Sequence, residues 1–198
     1  MKRLFNGVVV ALLIAQLALV LMSWLLSATM TEDVRSLISS EGVRWFFSHF
    51  SSMLATPWLV WLLLLSMAAG SLCCSGLLET LRPPRSPLHY RQRLALRTSI
   101  SLLVVYMAGV AALTVVPHAV LLSATGQLWP SPFSRAVVPV LSFALLLVSI
   151  VYGWVSGRYA TLADVLGSLC YGIAKAAPLF LIYVLFVQFY ESLKFVFL

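Results

Sequence analysis

Four stretches of this chain, residues 7–30, 57–78, 98–116 and 136–155, run for about twenty residues each without one charged side chain. A helix rising about 1.5 Å per residue needs about that many to cross a hydrocarbon layer. Inside such a layer the backbone has no water to bond to, so an uncharged run of this length folds as a helix or not at all. A fifth run begins at 176 and extends to 198, with Lys194 snorkelling toward the interface. Composition agrees: the 198 residues are 62% hydrophobic and 10% charged, against roughly half and a quarter in soluble domains. The run at 7–30 exceeds the h-region of a secretory signal and lacks a convincing small-residue cleavage site, so it reads as a retained first helix.

Orientation follows from Lys and Arg, which accumulate on the cytoplasmic side. With the N-terminus inside and the C-terminus outside, Lys2, Arg3, Arg82, Arg85, Arg91, Arg93, Arg97, Arg158 and Lys175 fall inside, against Arg35, Arg44, Arg135 and Lys194 outside. The net charge of +7 is mostly this bias. The segment 80–97, with Arg82, Arg85, Arg91, Arg93 and Arg97, therefore reads as a topogenic or lipid-facing cytoplasmic loop and not as a nucleic-acid patch. Trp24, Trp58 and Trp129 fall toward the outer interface and Trp154 toward the inner one.

The connections carry a second pattern. Val43, Phe46, Phe47, Phe50 and Leu54 recur at helical spacing behind Ser40 as N-cap and Glu41 in the first turn, which predicts an outer interfacial helix over 40–54. Leu162, Val165, Leu166, Leu169 and Ile173 repeat those offsets behind Thr161, with Asp164 completing a capping box, which predicts an inner interfacial helix over 161–175. Each leads to a proline near the start of a span, Pro57 and Pro178, where a missing N–H costs least. The expected fold is thus an all-α integral membrane protein forming one membrane domain. Its transmembrane helices lie at 7–30, 57–78, 98–116, 135–155 and 176–198, and with the two interfacial helices they form an inverted repeat, an arrangement found in secondary transporters.

Chemistry is sparse. No Asp, Glu, His, Lys or Arg stands near the middle of a span, where one would mark a proton or substrate route. His49 and His118 sit at the outer interface and His89 in the basic segment, with no companion to complete a metal set. Cys73, Cys74 and Cys170 read as buried small hydrophobes. Ser71 lacks the strand and partners of a nucleophile elbow, and Pro139 and Gly153 read as packing features of the fourth span. No cofactor, metal or catalytic residue is expected. Small residues instead mark helix contacts: Ala68, Ala69, Gly70, Ser71 and Gly76 in the second span, and Ala108, Gly109 and Ala112 in the third.

Residues 41–78, EGVRWFFSHFSSMLATPWLVWLLLLSMAAGSLCCSGLL, resemble the second-helix region of the p-aminobenzoyl-glutamate transporter (AbgT) family, down to the closing Ser75, Gly76 and Leu77. From Leu113 onward the chain resembles that family's sixth and seventh helices. Its landmarks there are the SPF at 131–133 and the VVP ending at Pro139. The resemblance implies an elevator-type architecture, with a scaffold of the first, second, fifth, sixth and seventh helices and a transport region containing two re-entrant hairpins. Here the sequence passes from the SGL end of the second helix through a short Arg-rich segment to what resembles the fifth, and it ends after the seventh. The expectation is a noncatalytic scaffold or accessory subunit of a bacterial inner membrane that self-associates, as a dimer, or binds another integral membrane protein. The alternative is a split or minimal transporter component for aminobenzoyl-glutamate-like organic anions or antifolate drugs. Membrane lipids are the other expected partner, and nucleic acid is not.

Overall fold

The computed structural model describes residues 2–29, 34–81, 89–115 and 132–197. Every regular element among them is an α-helix: α1 (Lys2–Ala28), α2 (Ser40–Leu54), α3 (Pro57–Ser75), α4 (Leu77–Leu81), α5 (Tyr90–Val115), α6 (Pro132–Val155) and α7 (Leu162–Phe197). Five of them, all but α2 and α4, are long and apolar enough to cross a membrane, so the chain is the all-helical membrane protein that its uncharged runs demand.

The helices overrun those runs at their basic ends. α5 begins at Tyr90, so Arg91, Arg93 and Arg97 belong to its first turns and not to a loop, and the connection from α4 is only residues 82–89. Freedom from charge marks the part of a helix that sits in hydrocarbon. Arginine is itself a good helix former, and its long side chain reaches out of the layer. α6 likewise starts three residues ahead of expectation, with Pro132 at its first position. The second span is shorter than expected: α3 stops at Ser75, Gly76 turns with φ 78°, and α4 follows.

The two interfacial segments end differently. α2 is capped by Ser39, one residue before the expected Ser40, because the Ser39 hydroxyl accepts from Gly42 N at 3.0 Å. The preceding turn lies so close that a Cβ on Gly42 would come 2.5 Å from the Ser36 carbonyl oxygen. At its other end, Thr56 N donates to Leu54 O at 2.8 Å and the Tyr183 hydroxyl donates to the same carbonyl at 3.0 Å, while the Thr56 hydroxyl bonds to Tyr183. The chain turns there, and α3 opens on Pro57. The break expected between 175 and 176 is absent: α7 is one helix of 36 residues running through Pro178. Pro178 forfeits only the bond to the Ala174 carbonyl, and in lipid the remaining backbone bonds hold the helix together. Its N-terminus carries the expected capping box, with Asp164 Oδ2 accepting from Ala160 N and Thr161 N at 2.9 Å each and Asp164 N donating to Thr161 Oγ1 at 3.4 Å.

The chain divides into two compact units, Met1–Val60 with Ala177–Leu198, and Trp61–Ala176. In the first, the Ser23 hydroxyl donates to Val20 O at 2.8 Å and accepts from Leu37 N at 3.2 Å, tying the approach to α2 onto α1. Arg35 N donates to Val196 O at 3.2 Å, Trp45 stacks on Phe195 at 4.3 Å, and the Arg35 guanidinium lies 5.9 Å from the centre of that phenyl ring. In the second, α5 packs along α6, and Leu77, Ala95 and Tyr152 form a buried cluster bordered by Leu72, Leu96, Val148 and Val155. The Tyr106 hydroxyl donates to Val140 O at 3.2 Å beside Pro139, where α6 lacks a backbone donor.

Candidate helix-contact site

Of the expected contact residues, those of the second span except Ala69 converge on neighbouring segments within Trp61–Ala176. Gly70 meets Gly172 of α7 so closely that a Cβ on Gly172 would lie 2.8 Å from Gly70 Cα, and one on Gly70 would lie 2.6 Å from the Ser168 carbonyl oxygen. Removing both side chains lets the two backbones touch. Ala68 and Ser71 are buried, and the Ser71 hydroxyl bonds to Ser149 Oγ of α6 at 2.7 Å. Gly76 is buried at the turn after α3. Ala69 is exposed, as are Ala108, Gly109 and Ala112 of α5, and nothing lies within 4 Å of where a Cβ on Gly109 would stand. The structure therefore gathers Ala68, Gly70, Ser71 and Gly76 and leaves the other four on outward faces.

A second layer closes over this crossing. α6 ends in a Schellman motif: Arg158 N donates to Gly153 O at 2.9 Å, Gly157 N donates to Trp154 O at 3.1 Å, and Gly157 takes φ 82°. The reversal sends Tyr159 back against Gly153, where a Cβ would run into the Tyr159 ring, and its hydroxyl donates to the Ser71 carbonyl at 3.2 Å. Arg158 then spans Gly76, whose absent side chain leaves room for the guanidinium. It grips Glu79 in a fork at 2.7 and 3.3 Å.

That hydrogen bond, and then the charge behind it, hold the Glu79 carboxyl below its ordinary 4.5 and push Arg158 above its usual value. Because the folded Glu79 value is depressed, the pair's contribution to stability is full above about pH 4.5 and is lost as pH falls through the lowered value. Both side chains are well exposed, so the effect is small and screened by salt. The melting temperatures of wild type and Glu79→Gln are expected to differ slightly at pH 7 and to converge as the pH falls through the lowered Glu79 value. Raising the salt at pH 7 should also close the gap.

Arg91, Arg93 and Arg97 stand exposed on the first turns of α5, with Arg91 reaching toward Gly157. Arg82 and Arg85, with His118, Trp129 and Ser131, lie outside the described residues, as do the side chains of residues 132–135. The cysteines are free, and Cys73 and Cys170 are exposed where burial was expected. Both stand on candidate spans, whose outward faces meet lipid, so a small apolar side chain gains nothing by turning inward. Among the described residues no group of three His, Cys, Asp or Glu stands ready to hold a metal.

The sequence reading missed the serines. Ser66, Ser75, Ser99, Ser142, Ser149 and Ser168 are all buried in this unit. Five of them return their hydroxyls to carbonyls of their own helix at 2.7–3.1 Å. The available signal was their placement among small residues at helical spacing, as in Ser168, Gly172 and Ala176 of α7.

Residues 79–196 match the family model described as the AbgT putative transporter family. The match begins at Glu79, so the resemblance over 41–78 lies outside it. No curated protein and no solved structure matches the chain.

Proposed function

This chain belongs to the AbgT transporter family, and from that premise we propose that it serves as a noncatalytic scaffold or accessory subunit, paired with a second copy or with another membrane protein. The observation that carries the reading is the junction between α4 and α5. Residues 82–89 are all that join them, too few for the helices and re-entrant hairpin that the family resemblance would put there, since a single span alone takes about twenty residues. The small outward residues Ala108, Gly109 and Ala112 of α5 give a partner helix a face to approach closely. The Arg-rich start of α5 supports a reading with that end of the helix and the N-terminus on the cytoplasmic side, and the C-terminus opposite, in the periplasm of a bacterium whose inner membrane holds the chain.

The test is the mass of the particle extracted in mild detergent, read by light scattering and by cross-linking in native membranes. A species of two copies, or a co-purifying membrane protein, is expected. A lone monomer that cross-links to nothing overturns the reading. Membership of a transporter family favours a second reading, a split or minimal component for aminobenzoyl-glutamate-like anions or antifolate drugs. Gradient-driven flux of aminobenzoyl-glutamate in vesicles holding only this protein would put that reading in place of the scaffold.

A further inference from the structure

Gln16 stands fourteen residues after the start of α1 and twelve before its end, about 21 Å and 18 Å along the axis. That places it near the middle of a membrane-crossing helix. Its Nε2 donates to Ser192 Oγ of α7 at 3.2 Å, while its Oε1 is buried and has no partner among the described residues. Turning the carboxamide over only exchanges the orphan, because Ser192 meets one end at a time. A carboxamide whose oxygen is buried at this depth costs free energy unless something pairs with that oxygen.

Beside it lies a crevice of about 280 Å³ within the unit formed by α1, α2 and the C-terminal part of α7. Gln16, Gln188 and Ser192 supply its polar lining, and Val20, Phe46 and Phe47 are among its apolar walls. An engineered apolar cavity of about 150 Å³ already admits benzene, so the crevice has room for a medium-length hydrocarbon chain. No charged side chain lines it, and an ion entering would give up hydration with nothing in return. A lipid tail would leave the carboxamide unpaired, and water alone would wet the phenyl and valyl walls.

We propose that this crevice binds a neutral amphiphile. Its hydroxyl or primary amide bonds to Gln16, Gln188 and Ser192, and its hydrocarbon part lies along Val20, Phe46 and Phe47. The test uses the full chain in lipid nanodiscs and a diazirine-bearing octanol as photoprobe, with the diazirine-bearing octane as its control. Saturable adducts on Val20, Phe46 or Phe47 are expected from the alcohol, displaced by plain octanol. Gln16→Leu should weaken the labelling about fivefold, the size of one neutral hydrogen bond, and Gln16→Asn should recover part of it. Helicity is checked by circular dichroism. Should Gln16→Leu lose its helices, Ser192→Ala carries the same expectation of reduced labelling. Equal labelling by octane, alcohol labelling indifferent to the substitution made, or no adducts in the crevice would each overturn the proposal.

Discussion

Replacing Gly172 with alanine should destabilise the protein by about 3 kcal/mol or more, at the upper end of what overpacking costs. The new methyl would meet the Ser66 carbonyl oxygen, Gly70 Cα at 2.8 Å and Gly70 N at 2.9 Å. All three are backbone atoms of α3 in a rigid helix, so no rotamer change relieves the overlap and the helices must move apart. The matching control is Gly167→Ala on the same helix, where nothing lies within 4 Å of the added carbon. There the change should be neutral or mildly stabilising, because alanine is the better helix former. Denaturant titration of both variants in one detergent, followed by helical circular dichroism, separates a contact effect from a general intolerance of substitution in α7.

The second large effect is expected at Gly153. An alanine there drives its methyl into the ring of Tyr159, which is buried and holds the Ser71 carbonyl through its hydroxyl. A loss of about 2–3 kcal/mol follows from ring displacement together with the broken hydrogen bond. The effect depends on that ring, so the two positions should couple. Tyr159→Ala alone costs about 3–5 kcal/mol as a large-to-small change, but Gly153→Ala made in its background should cost little. A double-mutant cycle returning simple additivity would mean that the ring does not rest on Gly153.

The sequence was informative where a single physical quantity governs the outcome. Charge-free length located four of the five candidate spans, and the Thr161–Asp164 capping box located the start of α7, which contains the fifth. Pro57 marked the start of α3. Reading failed where two residues far apart decide together. Pro57 and Pro178 look alike in the chain, but α2 ends at Leu54, whose carbonyl takes the hydroxyl of Tyr183 more than a hundred residues distant, whereas α7 runs through Pro178 unbroken. Orientation of the helix faces misled in a more general way. Leu162 and Leu166, part of the apolar stripe of the expected inner interfacial helix, are 68% and 61% exposed, whereas Val165, Ser168, Gly172 and Ala176 form the buried line. Hydrophobic periodicity identifies the core face of a helix in water. In lipid a leucine is equally content outside, and contact is made by whatever lets backbones come close.

The same reasoning explains the divided fate of the small residues. Gly70 and Gly109 are indistinguishable by local sequence rules, but one lies against Gly172 and the other faces outward. Which glycine is used depends on what stands opposite, and spacing within one helix carries no information about that. Gln16 escaped notice because a search for ionisable groups passes over a carboxamide. It reaches the middle of α1 uncharged and is found only as an unmatched atom beside a cavity.

The serines that bond to their own helices bear on how the protein is made. Ser66, Ser75, Ser142, Ser149 and Ser168 each satisfy their hydroxyl with a carbonyl three or four residues back. Each of these hydroxyls is therefore at rest in the bilayer before any neighbour arrives, and insertion of one helix need not wait for the next. Ser71 differs, since its hydroxyl donates across to Ser149 and its carbonyl takes the Tyr159 hydroxyl. Both bonds exist only after α3 has met α6 and the turn that ends it, which makes this one residue the natural reporter of that pairing.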